Sequence, residues 1–424
     1  MSNKFQMLIK PDRWPAFARG MLAYGSAEAV TRIARLGSIL IVARQISPEL
    51  LGTAALVISL FELTRVLTNV GIGQRIITAT ESELAPICNR ASQLFWLVCV
   101  GVTIAQLTVA TSAWLLFNLT DVAAMLAVLS AVYLFMPAGL VQIFLAMRAQ
   151  RMAATARVAA TQNIADCALT VVLVVAWPSA WAIILPKLLT APIWLVMARA
   201  TYRWAPNRDD SFAPVSDFAT FGPAILGSEL LTAARLNADK LLVGAMLGTE
   251  ALGLYYFAFN AGLGITQALV TACSLVLLPI LAEADEERLE HEFKRAFVMG
   301  FSVVVPLVAM QALLAPYYVP VIFGENWVPA VPQLALLACA AVPLFMAAVI
   351  GARLRAIGKP LCETHVMLCA TIAALSGLVV GAQASLDAAC IGFSLGLSVV
   401  LIPTAIGQFF SSHRSSSVPS KGDL

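Results

Sequence analysis

AFVMGFSVVVPLVAMQALLAPYYVPVIFG, residues 296–324, carries no charged side chain. A helix of about 20 predominantly apolar residues crosses the hydrocarbon core of a bilayer, and this run is longer. Residues 91–120, 122–147, 327–352 and 388–412 are equally free of charge. The whole chain is 60% hydrophobic and only 12% charged, with a mean hydropathy of +0.85. Soluble domains carry about 25% charged residues, so this chain lacks the polar surface to cover a fold of its length in water. The sequence predicts an all-α polytopic membrane helix bundle.

Charge clusters and Gly, Pro, Asn and Asp punctuation divide the chain into about 12 transmembrane helices. They fall near residues 22–43, 52–70, 91–115, 122–146, 154–176, 180–198, 219–246, 252–281, 296–316, 328–350, 364–382 and 388–410. With the N-terminus cytoplasmic, most of the 27 basic residues fall on inside segments, from Lys4 and Arg19 through Arg148, Arg151 and Arg203 to Lys421. Arg44 alone falls on an outside turn. Cytoplasmic loops collect Lys and Arg, so twelve spans with both termini inside is the expected topology. The start, MSNKFQMLIKPDRWPAFARG, lacks an apolar core followed by a small-residue cleavage site and reads as a retained N-terminus.

The polar stretch WAPNRDDSFAPVSD, Trp204 to Asp217, separates two sets of six helices. The expected organisation is an N-terminal bundle at 1–203, a cytoplasmic linker at 204–218, a C-terminal bundle at 219–410 and a cytoplasmic tail at 411–424. A second polar segment, AEADEERLEHEFKR from Ala282 to Arg295, reads as a cytoplasmic amphipathic helix. An internal repeat supports the two halves. Ser26–Gly52 aligns with Gly227–Gly253 at positions 201 apart, pairing Glu28 with Glu229, Thr31 with Thr232, Leu40 with Leu241, Val42 with Val243, Glu49 with Glu250, Leu51 with Leu252 and Gly52 with Gly253. Each stretch holds the first helix of its half and the turn into the second. Six is even, so both halves enter the membrane from the same side. Their relation is then a pseudo-two-fold along the membrane normal, an arrangement suited to alternating access.

The predicted spans nevertheless contain charges. Arg32, Arg35, Arg65, Lys187, Arg235 and Lys240 are basic, and Glu28, Glu62, Glu229, Asp166 and Asp239 are acidic. Glu28 and Arg32 are four apart, Arg32 and Arg35 three apart, and Glu62 and Arg65 three apart, so each set shares a helix face. A charge facing lipid is costly, although side chains near helix ends snorkel. These groups should face one another or a watery cavity, as structural ion pairs, as an anion site formed by the basic residues, or as acids that exchange H⁺ or Na⁺. Pro186 beside Lys187, Pro192, and Gly222-Pro223 before Glu229 mark expected bends. Pro306, Pro316, Pro320, Pro329 and Pro332 should make the ninth and tenth helices irregular.

Other chemistry has little behind it. The eight cysteines are dispersed singly and read as small buried hydrophobes. His291, His365 and His413 lie far apart and suggest no metal site. A net charge of +3, spread over many loops, argues against nucleic-acid binding. GFSLG, Gly392 to Gly396, matches GxSxG by letter but lies inside an apolar span rather than at a strand-to-helix turn. The sequence shows no nucleotide-binding or enzymatic signature, so the chain reads as a non-enzymatic protein without a resident cofactor.

IVARQISPELLGTAALVISLFELTRVLTNVGIGQRII, Ile41 to Ile77, NADKLLVGAMLGTEALGLYYFAFN, Asn237 to Asn260, and LLPILAEA, Leu277 to Ala284, resemble the Wzx-type O-antigen and exopolysaccharide flippases of the multidrug, oligosaccharidyl-lipid and polysaccharide exporter superfamily. Asn69 stands where that pattern usually has aspartate, and 12 rather than 14 helices are expected here. The resemblance implies a flippase in the bacterial inner membrane, moving an undecaprenyl-diphosphate-linked oligosaccharide outward with H⁺ or Na⁺ coupling. It further implies that Arg32, Arg35, Arg65 and Arg235 meet the diphosphate and acidic sugars, while Glu28 and Glu62 orient them or couple ions. A polysaccharide polymerase and assembly proteins are the partners it suggests. The alternatives are a small-molecule or multidrug exporter of the same superfamily and a non-transporting scaffold for envelope assembly.

Overall fold

The computed structural model describes residues 31, 34, 35, 37–206, 211–219, 222–264, 270, 277, 281 and 285–415. Everything regular among them is helical. The principal helices are α1 (Pro48–Arg65), α2 (Ile72–Thr78), α3 (Leu84–Phe117), α4 (Thr120–Ser130), α5 (Pro137–Arg148), α6 (Met152–Ala176), α7 (Ala180–Leu189) and α8 (Ala191–Thr201). They continue as α9 (Gly222–Ala258), α10 (Glu286–Ile322), α11 (Val331–Cys339), α12 (Ala341–Ala356), α13 (Pro360–Ala382) and α14 (Leu386–Ser415). Among the described residues, nine helices are long and apolar enough to cross a membrane. A tenth span arises if Thr120–Phe135 and Pro137–Arg148, bent by 52°, count as one. The chain is therefore an all-α polytopic membrane bundle. Residues 22–30, 32, 33 and 36 of the expected first span, and much of the eighth, lie outside the described residues.

Breaks fall where backbone chemistry requires them, and not always at the expected prolines. Pro137 begins the second arm of the bent pair, since a proline ring cannot continue the helix through the preceding carbonyl. The span at 180–201 breaks at Thr190, between Pro186 and Pro192. Gly222 and Pro223 stand at the edge of the described part of α9, next to residues 220 and 221, which lie outside the described residues. The interruption in α9 comes at Gly248, whose φ of 87° and ψ of 179° leave helical space, a conformation that glycine tolerates for want of a Cβ. Helix α10 runs unbroken through Pro306, Pro316 and Pro320. Of the expected amphipathic helix at 282–295, residues 286–295 are helical and form the first turns of α10, because no Gly or Pro stops the helix before the apolar run begins.

The chain packs as two compact units, Met1–Ile46 with Leu56–Asn237, and Ser47–Ala55 with Ala238–Leu424. In the first, Ile72, Ile76, Cys88, Phe95, Val141 and Leu145 form a core that also takes Ala213 and Phe218. Polar bonds hold this end. Arg148 donates to Ile77 O at 3.1 Å and to Glu81 at 2.8 Å, and Arg90 Nε donates to Ala213 O at 2.8 Å. Arg75 lies 3.4 Å from Glu83 and 3.8 Å from Asp217. Hydrogen bonds from the Thr80 side chain and backbone, with smaller help from Arg75, hold the exposed Glu83 carboxyl below the usual carboxylate range. The polar segment after α8 is thus fastened to the ends of α2 and α3.

In the second unit, Phe293, Val304, Phe345, Ala370 and Leu401 belong to one core. Glycine allows two close helix crossings here. Gly377 and Gly392 face each other so closely that a Cβ on either would overlap the other's backbone carbonyl. The second crossing joins α1 to α9. A Cβ on Gly52 would overlap Thr249 O, and a Cβ on Gly253 would overlap Pro48 O. These contacts are reciprocal under the repeat, because Pro48 corresponds to Thr249 as Gly52 corresponds to Gly253, each 201 positions apart.

Candidate functional site

The candidate residues are best taken unit by unit. In the first unit, Asp166 lies near the middle of α6 and Lys187 in the last turn of α7, directly after Pro186. Their charged atoms are 3.7 Å apart, and both side chains are only about a quarter exposed, at 24% and 26%. Asp166 Oδ1 is buried without a hydrogen-bond partner among the described residues. Arg35 is exposed, and its charge, like that of Lys187, acts on the Cys167 thiol beside Asp166. Asp166 and Lys187 are thus paired within helical spans apolar enough to cross a membrane. Glu28 and Arg32 lie outside the described residues.

Glu62 and Arg65 pair within α1 at 2.8 Å on one helix face, Arg65 exposed and Glu62 half-buried. Beneath them lies a buried polar cluster. Thr64 Oγ1 and Tyr133 OH bond Gln106 Oε1 at 2.5 and 2.8 Å, and lie 3.0 Å from each other. Gln106 Nε2 donates to Leu126 O at 2.8 Å. Burial makes each unmade hydrogen bond expensive, so the cluster fixes α1 against α3 and α4. Glu229 is half-buried and Arg235 exposed on α9, without an ion-pair partner among the described residues.

In the second unit Asp239 and Lys240 pair at 3.2 Å and are both buried. Tyr255 OH donates to Asp239 Oδ2 at 2.9 Å, and Lys240 Nζ sits 4.2 Å from the centre of the Phe259 ring, close enough for a cation–π attraction. Sequence reasoning missed Thr64, Gln106, Tyr133, Tyr255 and Phe259. Gln106, an amide in the middle of the charge-free run 91–120, was the available signal. Among the described residues no group of three or more His, Cys, Asp or Glu side chains is placed to hold a metal ion.

Within the described residues the chain is thus a bundle of long apolar helices with paired charges inside its spans. A family profile described as "Polysaccharide biosynthesis protein" matches residues 41–332, more than half of the chain, and the chain belongs to that family. It is 24% identical over 402 residues to the lipopolysaccharide biosynthesis protein WzxC of Escherichia coli K12, covering 91% of this chain and 79% of the relative. The succinoglycan biosynthesis transport protein ExoT of Rhizobium meliloti is 21% identical over 388 residues, covering 89% and 76%. Among solved structures, the lipid II flippase MurJ in an inward closed conformation matches with a TM-score of 0.75 at 11% identity, over 91% of this chain and 87% of that one. An inward-facing multidrug resistance MATE family transporter matches at 0.64 and 16% identity, over 91% and 96%. These structural likenesses speak for the fold. The family match gives the chain its family, and the structural matches bear on its fold, a polytopic bundle of helices long and apolar enough to cross a membrane.

Proposed function

We propose that this protein moves an undecaprenyl-diphosphate-linked oligosaccharide from the cytoplasmic to the outer face of the inner membrane by alternating access. The observation that carries the reading is the Asp166–Lys187 pair, two charges held together within apolar spans of a polysaccharide biosynthesis family member. A diphosphate cannot enter about 30 Å of hydrocarbon unaided. Basic groups in a polar path would take the place of its water, and arginine would grip it with two parallel charge-assisted bonds. In this scheme Arg32, Arg35, Arg65, Arg235, Lys187 and Lys240 contact the anionic cargo. Glu28, Glu62, Glu229, Asp166 and Asp239 neutralise these groups between cycles or exchange H⁺ or Na⁺, and no covalent step is needed.

The same reading has twelve helices in two six-helix halves, 1–203 and 219–410, joined by a cytoplasmic linker at 204–218, with the tail at 411–424 and both termini cytoplasmic. The reciprocal crossing of Gly52 and Gly253 supports the pseudo-two-fold, because a residue pair on such an axis meets its own repeat counterparts. The polymerase and assembly proteins that receive the glycan are the proposed partners. Removing the protein from cells that make the polysaccharide should leave its lipid-linked repeat unit on the cytoplasmic face, inaccessible to an external glycosidase. Unchanged exposure of the repeat unit, with altered efflux of small cations, would instead favour the drug exporter. Unchanged exposure and unchanged efflux would favour the scaffold.

A further inference from the structure

At one end of the first unit, the start of α6 and the last turns of α8 enclose a cleft of about 480 Å³, within the roughly 300–1,000 Å³ of small-molecule sites. Its walls have two characters. Arg151, Arg157 and Thr201 supply a polar side, whereas Val158, Met197 and Ala200 supply an apolar one. The arginines are held by contacts that leave donors unused. Arg151 Nη1 donates to Thr201 O at 3.1 Å, and its guanidinium stands 5.6 Å from the centre of the Tyr202 ring. Arg157 is tied through Nε alone, to Ala153 O at 3.3 Å. Its two terminal amines have no partner among the described residues. No carboxylate lines the cleft, so nothing within it neutralises the two positive charges.

The surroundings indicate what would. Met152 and Val196, on the same two helices, are exposed hydrophobics, as expected of side chains that face lipid. The cleft thus lies where apolar spans give way to the basic segment Arg148–Arg151 and to Arg199 and Arg203. A soluble anion would use only the polar wall. An amphiphile with a negative head would use both walls, and basic pockets between membrane helices suit such heads. We propose that this cleft binds the phosphate head group of an anionic membrane phospholipid. Arg157 would present its open fork to the phosphate, Arg151 would add a second charge, and Met197 and Ala200 would pack against the first carbons beyond the ester. The inference stands apart from the transport reading and concerns a lipid that stays bound.

The test uses the full-length protein in nanodiscs containing phosphatidylglycerol and phosphatidylcholine, followed by native mass spectrometry of the lipid retained on release. Phosphatidylglycerol should be retained in preference to phosphatidylcholine. Arg157→Gln should weaken it about fivefold and the double variant Arg151→Gln/Arg157→Gln on the order of 25-fold, one increment for each charge. Arg157→Lys, keeping the charge without the fork, should fall between wild type and Arg157→Gln. Arg288→Gln removes an exposed charge from the second unit and should change nothing. Equal retention by wild type and Arg157→Gln would overturn the proposal, as would an equal loss in Arg288→Gln. Displacement of phosphatidylglycerol by inorganic phosphate alone would overturn it too, by making the ligand a soluble anion.

Discussion

Gly52→Ala and Gly253→Ala are each expected to destabilise the protein by about 3 kcal/mol or more, at the upper end of overpacking effects. The reason is the identity of the atoms in the way. The new methyl group would meet the carbonyl of Thr249 in one case and of Pro48 in the other. A flexible side chain can turn aside, but a helix backbone can yield only by moving the whole helix. The reciprocal geometry sharpens the expectation, since the two single variants should be similar in effect. Once the helices have been pushed apart by one methyl group, the second should cost much less, so the double variant should fall well short of the sum. Thermal unfolding in nanodiscs would measure all three. Full additivity, or a silent Gly253→Ala, would show that the crossing is not as tight as described.

The second large effect is expected at Arg353. This side chain is buried at 8% exposure, with Nε 3.1 Å from Glu290 Oε1, a further bond from Nη2 to the same oxygen and another from Nη1 to Gln408. Its guanidinium also lies 5.2 Å from the centre of the Phe293 ring. Arg353→Leu should cost about 3–5 kcal/mol, because Glu290 would be left as a partly buried charge without its partner. Glu290 Oε2 already has no hydrogen-bond partner among the described residues, so little remains to compensate. Replacing both residues, Glu290→Leu with Arg353→Leu, should recover much of the loss. A double variant less stable than Arg353→Leu would contradict this account.

The class of fold was legible because a span needs only length and freedom from charge, and both are visible in runs such as 296–324. Breaks were less legible. A proline in a membrane helix need not end it, because neighbouring groups can satisfy the freed carbonyl, and so α10 passes through three of them. Gly248 breaks α9 by its backbone torsions, and LGTEALG offers no proline to announce it. Among the charges, the Glu62–Arg65 contact follows from their spacing of three within one helix. Asp166 meeting Lys187 and Tyr255 meeting Asp239 depend on how chain segments 21 and 16 positions apart fold back, which periodicity does not encode. The polar cluster of Thr64, Gln106 and Tyr133 was hidden similarly, its members lying on three separate helical segments.

The central claim is that a diphosphate-bearing lipid passes the charges grouped around Asp166 and Lys187. The most direct measurement is outward movement of a fluorescent undecaprenyl-diphosphate oligosaccharide in proteoliposomes of defined protein orientation, with wild type, Lys187→Gln, Arg35→Gln and the charge-preserving Lys187→Arg compared under H⁺ and Na⁺ gradients. The account expects protein-dependent movement by wild type. It expects a loss of about tenfold or more in Lys187→Gln and Arg35→Gln, as removal of a charge-assisted contact implies, with substantial retention in Lys187→Arg. Movement at the wild-type rate in both neutral variants, or none by correctly oriented wild type, would contradict it.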